Sequence, residues 1–288
     1  MTEIVETGYG KINLALAITG AREDGYHNID TIFQSIGLCD TVTLREAGKF
    51  QLTCSVESLP CDETNLAYRA WKALCPYKKD NHRVAIHIKK RIPIAAGLAG
   101  GSTDCAAVLR GLNRLWKLSL SQQELCRIGA KLGADVPFCI CGGTMRGTGI
   151  GEQLRRLPSL PSWPVVVLHP RVAVQTKRAY ALFDGKKKTG TIDVDAVEAA
   201  IRRGHFESVT TAMGNTFEEL VMPDVPQVIQ CRERLASLGL QPLMAGSGPT
   251  VFALVPPLRE EAVRRQVMTW TDVDTYMTTI VKREDGEY

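Results

Sequence analysis

The chain has 288 residues, enough for one large domain or two of ordinary size, because a domain usually has about 100–200 residues. Its 44% hydrophobic and 23% charged residues are typical of a globular protein with a sizeable core, and they exclude disorder and collagen-like structure. The net charge of +4 is compatible with anionic small molecules but falls short of the strongly basic surface of a nucleic-acid-binding domain.

The sequence shows no sign of a membrane or export segment. No window approaches the ~18 consecutive apolar residues of a transmembrane helix, and residues 1–10 lack a basic region followed by an apolar stretch. The nine cysteines are odd in number and follow no spacing typical of a zinc site, so we expect reduced thiols. These features predict a cytoplasmic protein.

The first predicted strand covers residues 12–18, where apolar residues alternate with others. Lys11 and Asn13 then share the opposite face of that strand. The same alternation over residues 84–88 predicts another strand, and Pro93 begins a glycine-rich loop after it.

Helical patterns follow the glycine-rich loop. Apolar residues recur at intervals of three to four from Thr103 to Trp116 and predict a helix there. Ser121 and Glu124 have the spacing of a capping box, which predicts a further helix that stops at Gly133.

The segment at residues 154–164 is rich in proline and predicts an extended connector. We therefore expect two domains, residues 1–157 and residues 158–288, of α+β or α/β class. Lys186–Lys188 predicts a solvent-exposed loop tip, with a polyanion site as the alternative. The elements predicted in the second half are strands at 165–168 and 251–255, helices near 193–221 and 226–238, and a glycine turn at 245–248.

The loop at residues 93–103 lies between a predicted strand and a predicted helix. Unpaired backbone N–H groups and the helix dipole favour an anion there, and glycine lets a phosphate approach the backbone. The loop lacks the Gly-Lys-Ser/Thr ending of a P-loop, and its glycines do not follow the Gly-x-Gly-x-x-Gly spacing. A plain tight turn is the alternative, but the polar residues at 102–104 favour phosphate or Mg²⁺ contacts.

Four segments, taken together, resemble the motif set of the GHMP kinases. They are Lys11 to Ile36, with Lys-Ile-Asn and Gly-Tyr-His; residues 93–113, with the glycine loop; residues 133–152, which begin Gly-Ala-Asp-Val-Pro; and residues 244–254. The resemblance covers residues 9–152 and recurs near 165–184 and 243–254. The glycine loop marks only the family, whereas the other motifs point to one branch of it.

The resemblance implies an α+β fold of two domains, with the active site in the cleft between them. It implies a small-molecule kinase that uses ATP and Mg²⁺ to phosphorylate the 2-hydroxyl of 4-diphosphocytidyl-2-C-methyl-D-erythritol in non-mevalonate isoprenoid biosynthesis. We accordingly expect a small-molecule substrate as partner, no nucleic acid, no membrane, and a monomer or weak homodimer. The ligands of the metal stay open.

Carried over to matching positions, the resemblance implies that Lys11 and Asp135 are the catalytic pair. Phosphoryl transfer to an alcohol requires removal of the acceptor proton and stabilisation of charge on the transferring group. A carboxylate such as Asp135 can accept the proton, and the Lys11 ammonium can lower the hydroxyl's pKa and offset negative charge. The alternatives are a helix cap for Asp135 and a solvated strand residue for Lys11.

For ATP, the resemblance implies that the glycine loop holds the triphosphate and that three further residues line the adenine pocket. The candidate nucleotide-binding residues are Asn65, Leu66, Lys90, Pro93, Ile94, Ala95, Ala96, Gly97, Leu98, Ala99, Gly100, Gly101, Ser102 and Thr103.

For the cytidine end, Tyr26 and His27 supply an aromatic plane and an imidazole, which suit stacking on a flat base and reading its edge. The resemblance implies that both bind cytosine and that Thr176 and Tyr180 also belong to this site. The base would lie between Tyr26 and Tyr180, and Asn13 would contact the substrate near the transferred group.

The chain departs from the family pattern at Ala99, where the loop usually has glycine, at Thr103, which replaces a serine, and at residues 7–10 before Lys11. Because alanine disfavours a positive φ, Ala99 predicts altered phosphate geometry or ATP affinity. Three alternatives stay open: another acceptor such as homoserine or mevalonate, a catalytically silent nucleotide-binding sensor, and an RNA-binding module.

Overall fold

The structure is a computed structural model that describes residues 2–78, 83–185 and 190–282. The loop tip predicted at Lys186–Lys188 lies outside these residues. The described residues divide into two compact units. Unit 1 consists of Met1–Gly10, Leu38–Ile94 and Ala99–Gly142, and unit 2 consists of Lys11–Gly37, Ala95–Leu98 and Gly143–Tyr288.

The secondary structure mixes strands and helices along the whole described chain. The strands are β1 (Glu3–Ala21), β2 (His27–Glu46), β3 (Gln51–Cys54), β4 (Val84–Lys89), β5 (Thr144–Thr148), β6 (Gln153–Arg156), β7 (Pro164–His169), β8 (Gly214–Asn215), β9 (Pro242–Met244), β10 (Val251–Leu254) and β11 (Asp274–Thr279). The α-helices are α1 (Leu66–Leu74), α2 (Gly100–Leu115), α3 (Gln122–Ala130), α4 (Val136–Cys141), α5 (Thr176–Asp184), α6 (Val194–Arg203), α7 (Phe206–Ala212), α8 (Glu218–Val221), α9 (Pro226–Ser237) and α10 (Glu260–Val267). Short 3-10 helices lie at Cys75–Tyr77, Met222–Asp224 and Pro257–Arg259.

In unit 1, β4 lies between two strands. It pairs antiparallel with the second half of β2, where Thr41 faces Lys89, and parallel with β3, where Gln51 faces Ala85. The apolar side chains of β4 are buried, while His87 and Lys89 are exposed, as the alternation predicts.

Helix α2 is the central helix of unit 1. Every residue from 103 to 112 is buried, so the helix is covered on all sides rather than on one face. It begins three residues before the predicted Thr103. Helix α3 carries the predicted capping box, in which the Ser121 and Glu124 side chains each bond the other's backbone.

In unit 2, β7 is an inner strand of a four-stranded antiparallel sheet of order β11-β7-β10-β9. All its residues are buried, which agrees with the continuous apolar run at residues 165–168. Side chains such as Phe217, Val228 and Leu235 from α8, α9 and the preceding turn form the core with this sheet. Elsewhere in the unit, β5 pairs with the first half of β2 and with β6, and β8 pairs with β1.

The fold is therefore α+β, as expected from the sequence. Residues 158–282 all lie in unit 2, which also includes segments from the first half of the chain. The domain boundary between residues 157 and 158 stays a prediction. In the described part of the chain, no helix combines the length and apolarity needed to cross a membrane.

Candidate functional site

The glycine loop ends at the N-terminus of α2 and has an unusual backbone. Gly97 has a φ of 75°, and the non-glycine residues Ala95 and Ala99 have φ of 54° and 58°. Ala99 is the N-cap of α2 and provides no side-chain capping bond. The first N–H groups of a helix have no intrahelical partner, so those of residues 100–102 are suited to bind phosphate.

The predicted adenine residues lie around this helix N-terminus in unit 1. A Cβ built on Gly100 would lie 3.3 Å from Lys90 Nζ, and one built on Gly101 would lie 3.7 Å from Leu66 Cδ1. Asn65 is the N-cap of α1, where its Oδ1 accepts from the N–H of Ala67 at 2.8 Å. Unit 1 thus places Asn65, Leu66 and Lys90 close to the start of α2.

The Lys90 ammonium is held by two buried carboxylates. It donates to Asp104 at 2.7 Å and to Asp40, while Asp40 also accepts from the N–H of Ile92 at 2.9 Å. Burial lowers the pKa of Lys90, but Asp104 and Asp40 raise it more, so its pKa lies above the ordinary value. Burial raises the pKa of Asp104 to about 7, against the opposing Lys90 charge. A contact of Lys90 with adenine stays a prediction.

The two hydroxyls at the start of α2 have different surroundings. Thr103 is 1% exposed, and its Oγ1 donates to the carbonyl of Tyr9 at 2.5 Å. Ser102 is partly exposed, and its Oγ lies 3.8 Å from a Cβ built on Gly133. Ser102 is therefore the hydroxyl in this turn that can face a ligand, whereas Thr103 ties α2 to β1.

Asp135 lies in unit 1, two residues after Gly133. It occupies the N-cap position of α4, but its side chain accepts no capping hydrogen bond. Its carbonyl oxygen instead accepts from the N–H of Cys139 at 3.0 Å. The carboxylate therefore does not serve as the helix cap that was the alternative to a catalytic role.

Lys11 and Asn13 share one face of β1, as predicted, but that face is buried. Lys11 is 5% exposed and Asn13 is 1% exposed. Lys11 Nζ donates to Asn13 Oδ1 at 3.0 Å, and Asn13 Nδ2 donates to Thr31 Oγ1 at 2.8 Å. The ammonium also lies 5.6 Å from the ring centroid of Phe33. A solvated strand residue at Lys11 is thereby excluded.

The late glycine turn lies beside these residues in unit 2. A Cβ built on Gly246 would lie 3.1 Å from the carbonyl oxygen of Gly97 and 3.3 Å from Lys11 Nζ. Asn215 Nδ2 supports the turn by donating to the carbonyls of Met244 and Gly246, at 2.7 and 2.8 Å. The Lys-Ile-Asn segment, the start of the glycine loop and the late glycine turn therefore meet within unit 2.

The cytidine candidates form an aromatic group in unit 2. His27 is 7% exposed and stacks on Tyr180, with centroids 4.7 Å apart and rings 18° from parallel. Phe183 meets His27 edge-on at 5.6 Å, and Asp184 Oδ1 lies 2.7 Å from His27 Nε2. Tyr26, by contrast, is 59% exposed. One face of the Tyr180 ring meets His27 in this structure, and a base between Tyr26 and Tyr180 stays a prediction.

Thr176, the remaining cytidine candidate, begins α5. Its Oγ1 lies 3.0 Å from Ser247 Oγ in the late glycine turn. The structure thus connects the predicted hydroxyl to a motif segment 71 residues later in the chain. Lys11 and these residues belong to unit 2, whereas Asp135 and the adenine candidates belong to unit 1.

Several polar residues of the site were not predicted from the sequence. Asp184 lies four residues after Tyr180 on α5, a spacing that places both on one helix face and was a usable signal. The hydrogen bond that Lys90 donates to Asp40 joins residues 50 positions apart, and no local sequence pattern predicts it. The same holds for the bonds from Asn215 to the late glycine turn.

The chain is similar to known proteins over most of its length. The family model described as "GHMP kinases N terminal domain" matches residues 65–143, and the model described as "GHMP kinases C terminal" matches residues 197–269. A protein of Enterococcus faecalis named 4-diphosphocytidyl-2-C-methyl-D-erythritol kinase is 40% identical over 255 residues, or 88% of this chain and 90% of that protein. A protein of Gloeothece citriformis with the same name is 44% identical over 266 residues, or 85% of this chain and 84% of that protein.

Solved structures show the same fold. A crystal structure of 4-(cytidine 5'-diphospho)-2C-methyl-D-erythritol kinase matches with a TM-score of 0.82 and 30% identity over 97% of this chain and 100% of that chain. A crystal structure of L. major mevalonate kinase matches with a TM-score of 0.77 at 15% identity, over 98% of this chain and 97% of that chain. The second likeness concerns the fold alone.

Proposed function

This chain belongs to the GHMP kinases, and we propose that it transfers the γ-phosphoryl group of ATP to the 2-hydroxyl of 4-diphosphocytidyl-2-C-methyl-D-erythritol. The observation that supports this most directly is the meeting of remote motifs in unit 2. There, Lys11 and Asn13 lie against the late glycine turn, and Gly97 of the glycine loop packs on the same turn. The proposed reaction belongs to non-mevalonate isoprenoid biosynthesis.

The N-terminus of α2 would bind the triphosphate. Its first N–H groups lack intrahelical partners, and the helix dipole adds partial positive charge at the same end. Gly100 and Gly101 have no side chain that would keep a phosphate away from the backbone. The Ser102 hydroxyl adds a donor, and Asn65, Leu66 and Lys90 lie beside this end of α2, where they would receive the adenine.

Lys11 and Asp135 would act on the acceptor hydroxyl. A carboxylate such as that of Asp135 can accept the hydroxyl proton. The ammonium of Lys11 is buried, and a charge in such surroundings acts more strongly than in water. It would stabilise the negative charge that develops on the acceptor oxygen and the transferred group. Asn13 holds this ammonium and would contact the substrate next to it.

The cytosine would be recognised by the aromatic group of unit 2. The exposed ring of Tyr26 can stack on the base. Tyr180 would provide a second ring, one face of which stacks on His27 in this structure. His27 would read the edge of the base with its imidazole, and Thr176 would add a hydroxyl contact. A position of the whole site in a cleft between two domains stays a prediction.

We also propose Mg²⁺ as the cofactor that accompanies ATP. Within residues 2–78, 83–185 and 190–282, no three His, Cys, Asp or Glu side chains are grouped to hold a metal ion. Mg²⁺ bound to a nucleotide takes most of its ligands from phosphates and water and needs only one or two protein oxygens. Ser102 Oγ at the start of α2 fits such a role, and bound Mg²⁺ would neutralise charge on the phosphates.

The test is ADP release by the purified protein with Mg-ATP and separate acceptors: 4-diphosphocytidyl-2-C-methyl-D-erythritol, homoserine, mevalonate, galactose and none. We expect turnover with the cytidylated alcohol alone. Asp135→Asn should lower kcat by ~10²–10⁴-fold, the usual contribution of a positioned base. Glu233→Gln removes an equal charge from an exposed position and should leave kcat unchanged.

Tyr26→Ala is the matching test of the cytidine site. We expect it to raise the KM for the cytidylated acceptor, because base stacking typically contributes ~1–3 kcal/mol, while the KM for ATP should stay the same. Turnover with homoserine or mevalonate instead would favour another acceptor within the family. ATP binding without turnover of any acceptor would favour the nucleotide sensor.

The proposed function also leads to expectations about the oligomeric state, the location and the partners of the enzyme. We propose a monomer or weak homodimer that works in the cytoplasm on a small molecule, without nucleic acid or membrane as partner. Size-exclusion chromatography with light scattering at several protein concentrations would test the oligomeric state.

A further inference from the structure

Two cysteines of unit 1 lie in direct contact without being bonded. Cys126 on α3 and Cys141 at the end of α4 have their Sγ atoms 3.5 Å apart, and they are 15 residues apart in the chain. Cys126 Sγ also lies 3.8 Å from the carbonyl oxygen of Pro137, so it faces α4. None of the nine cysteines is in a disulfide, and the proposed kinase mechanism uses neither member of this pair.

The geometry is close to what a disulfide requires. An S–S bond is about 2.05 Å long, so the two sulfurs must approach by about 1.5 Å, which is within reach of small χ1 rotations and a shift of one helix end. Cys141 is the last residue of α4, and Gly142 and Gly143 follow it with φ of 65° and 81°. Because glycine tolerates many backbone conformations, this end of α4 can adjust more easily than the middle of a helix.

The pair is also accessible. Cys126 and Cys141 are partly exposed, whereas Cys105, Cys139 and Cys231 are buried. The hydrogen bond with Cys141 is the main cause that raises the pKa of Cys126, so the Cys126 thiol loses its proton less readily than an ordinary thiol. Cys141 is then the sulfur that reacts first with an oxidant.

We propose that Cys126 and Cys141 form a reversible disulfide in the presence of a small-molecule disulfide such as oxidised glutathione. Cys141 loses its proton and attacks one sulfur of the small disulfide, which releases one thiol and leaves a mixed disulfide on Cys141. Cys126 then loses its proton and attacks the Cys141 sulfur, which releases the second thiol. The two cysteines lose two electrons and two protons, and the small disulfide takes up both pairs as two thiols.

The bond would close a covalent loop that contains Asp135 and joins α3 to the end of α4. Intracellular disulfides of this kind are usually transient, and a thiol pair poised at contact distance is what such a role requires. The inference does not depend on the kinase assignment, because its readout is the bond itself.

The experiment equilibrates the folded protein with mixtures of oxidised and reduced glutathione, alkylates the free thiols, and maps the peptides by mass spectrometry without reduction. We expect the Cys126–Cys141 cross-linked peptide to exceed the glutathione adduct of Cys141 at least tenfold, and dithiothreitol to reverse it. Cys126→Ser should carry the glutathione adduct on Cys141 instead. Cys75→Ser, a partly exposed thiol elsewhere in unit 1, should behave like the wild type.

The proposal is overturned if the wild type accumulates the Cys141 adduct to the same level as Cys126→Ser and yields no cross-linked peptide. It is also overturned if the cross-link that forms joins other cysteines, such as Cys54 and Cys61, while Cys126 and Cys141 stay free. Neither serine variant removes a buried side chain, so circular dichroism of each variant provides the check on folding.

Discussion

Replacement of Gly97 by alanine tests the packing of the glycine loop on the late glycine turn. Gly97 has a φ of 75°, and a Cβ there would lie 2.9 Å from the carbonyl oxygen of Gly248 and closer still to that of Ala245. The left-handed backbone costs an alanine ~1–2 kcal/mol. The contacts with backbone oxygens add an overpacking cost of ~1–3 kcal/mol, because backbone cannot rotate away as a side chain can. We expect Gly97→Ala to lose ~3 kcal/mol of unfolding free energy.

Alanine variants at two other glycines of unit 2 separate the cost of the left-handed backbone from the cost of the close contacts. Gly204 has a φ of 71° at the end of α6 and nothing within 4 Å of a built Cβ, so Gly204→Ala has the backbone cost without the contact. Gly20 in β1 also faces open space and has no left-handed φ, so Gly20→Ala has neither cost. The expected order of stability is Gly20→Ala, then Gly204→Ala, then Gly97→Ala.

Thermal unfolding, followed by circular dichroism, measures this order of stability among the three variants. A change of 1 kcal/mol shifts the Tm of a protein of this size by roughly 2–4 °C, so we expect Gly97→Ala to melt about 6–12 °C below the wild type. Gly204→Ala should melt about 2–8 °C below it, since only the backbone cost applies. A Gly97→Ala variant that melts with Gly204→Ala would refute the close contact between the loop and the turn.

Three further changes have expected outcomes. Ala99→Gly removes a Cβ from a residue with φ of 58°, and the relief of ~1–2 kcal/mol exceeds the ~0.5–1 kcal/mol entropic cost of glycine, so the urea midpoint should rise; a lower midpoint would contradict the strain. The Arg155 guanidinium and two further arginines lower the pKa of Glu198 from 4.5 to about 2, so Glu198 stabilises the folded state above pH 4.5 and loses this contribution as the pH falls toward 2. Glu198→Gln should therefore flatten the Tm profile over that range, and an unchanged profile would count against the pairing. Arg110→Ala removes a buried cation that bonds Glu6 at 3.0 Å and should cost ~3–5 kcal/mol in urea unfolding, whereas a loss under 1 kcal/mol would show that the pair is replaceable.

The strands and helices were predictable because their signals are local. The alternation at residues 84–88 and the apolar run at 165–168 gave β4 and β7, and the spacing of Ser121 and Glu124 gave the start of α3. Each signal depends on side chains a few residues apart, and burial of one face then stabilises the element that the pattern favours.

The burial of Lys11, one of the two catalytic candidates, could not be read from the same patterns. Lys11 alternates with apolar residues and therefore reads as solvent-facing, but Asn13 and the ring of Phe33 enclose its ammonium. Helix α2 likewise has an amphipathic pattern and is nevertheless covered on all sides. Polar atoms can be buried when hydrogen bonds replace water, and the partners that provide those bonds come from elsewhere in the chain.

The residue types and motifs in the sequence were sufficient to establish the family, whereas the phosphate loop and the residues proposed for phosphoryl transfer stay predictions. The partners of those residues came from the folded chain: Asp40 and Asp104 around Lys90, Asp184 on His27, and Ser247 beside Thr176. The physical reason is that these partners are far from the motif residues along the sequence. A motif records which functional groups are present, whereas the charge, hydrogen bonding and burial of each group depend on atoms that are distant in sequence and near in space.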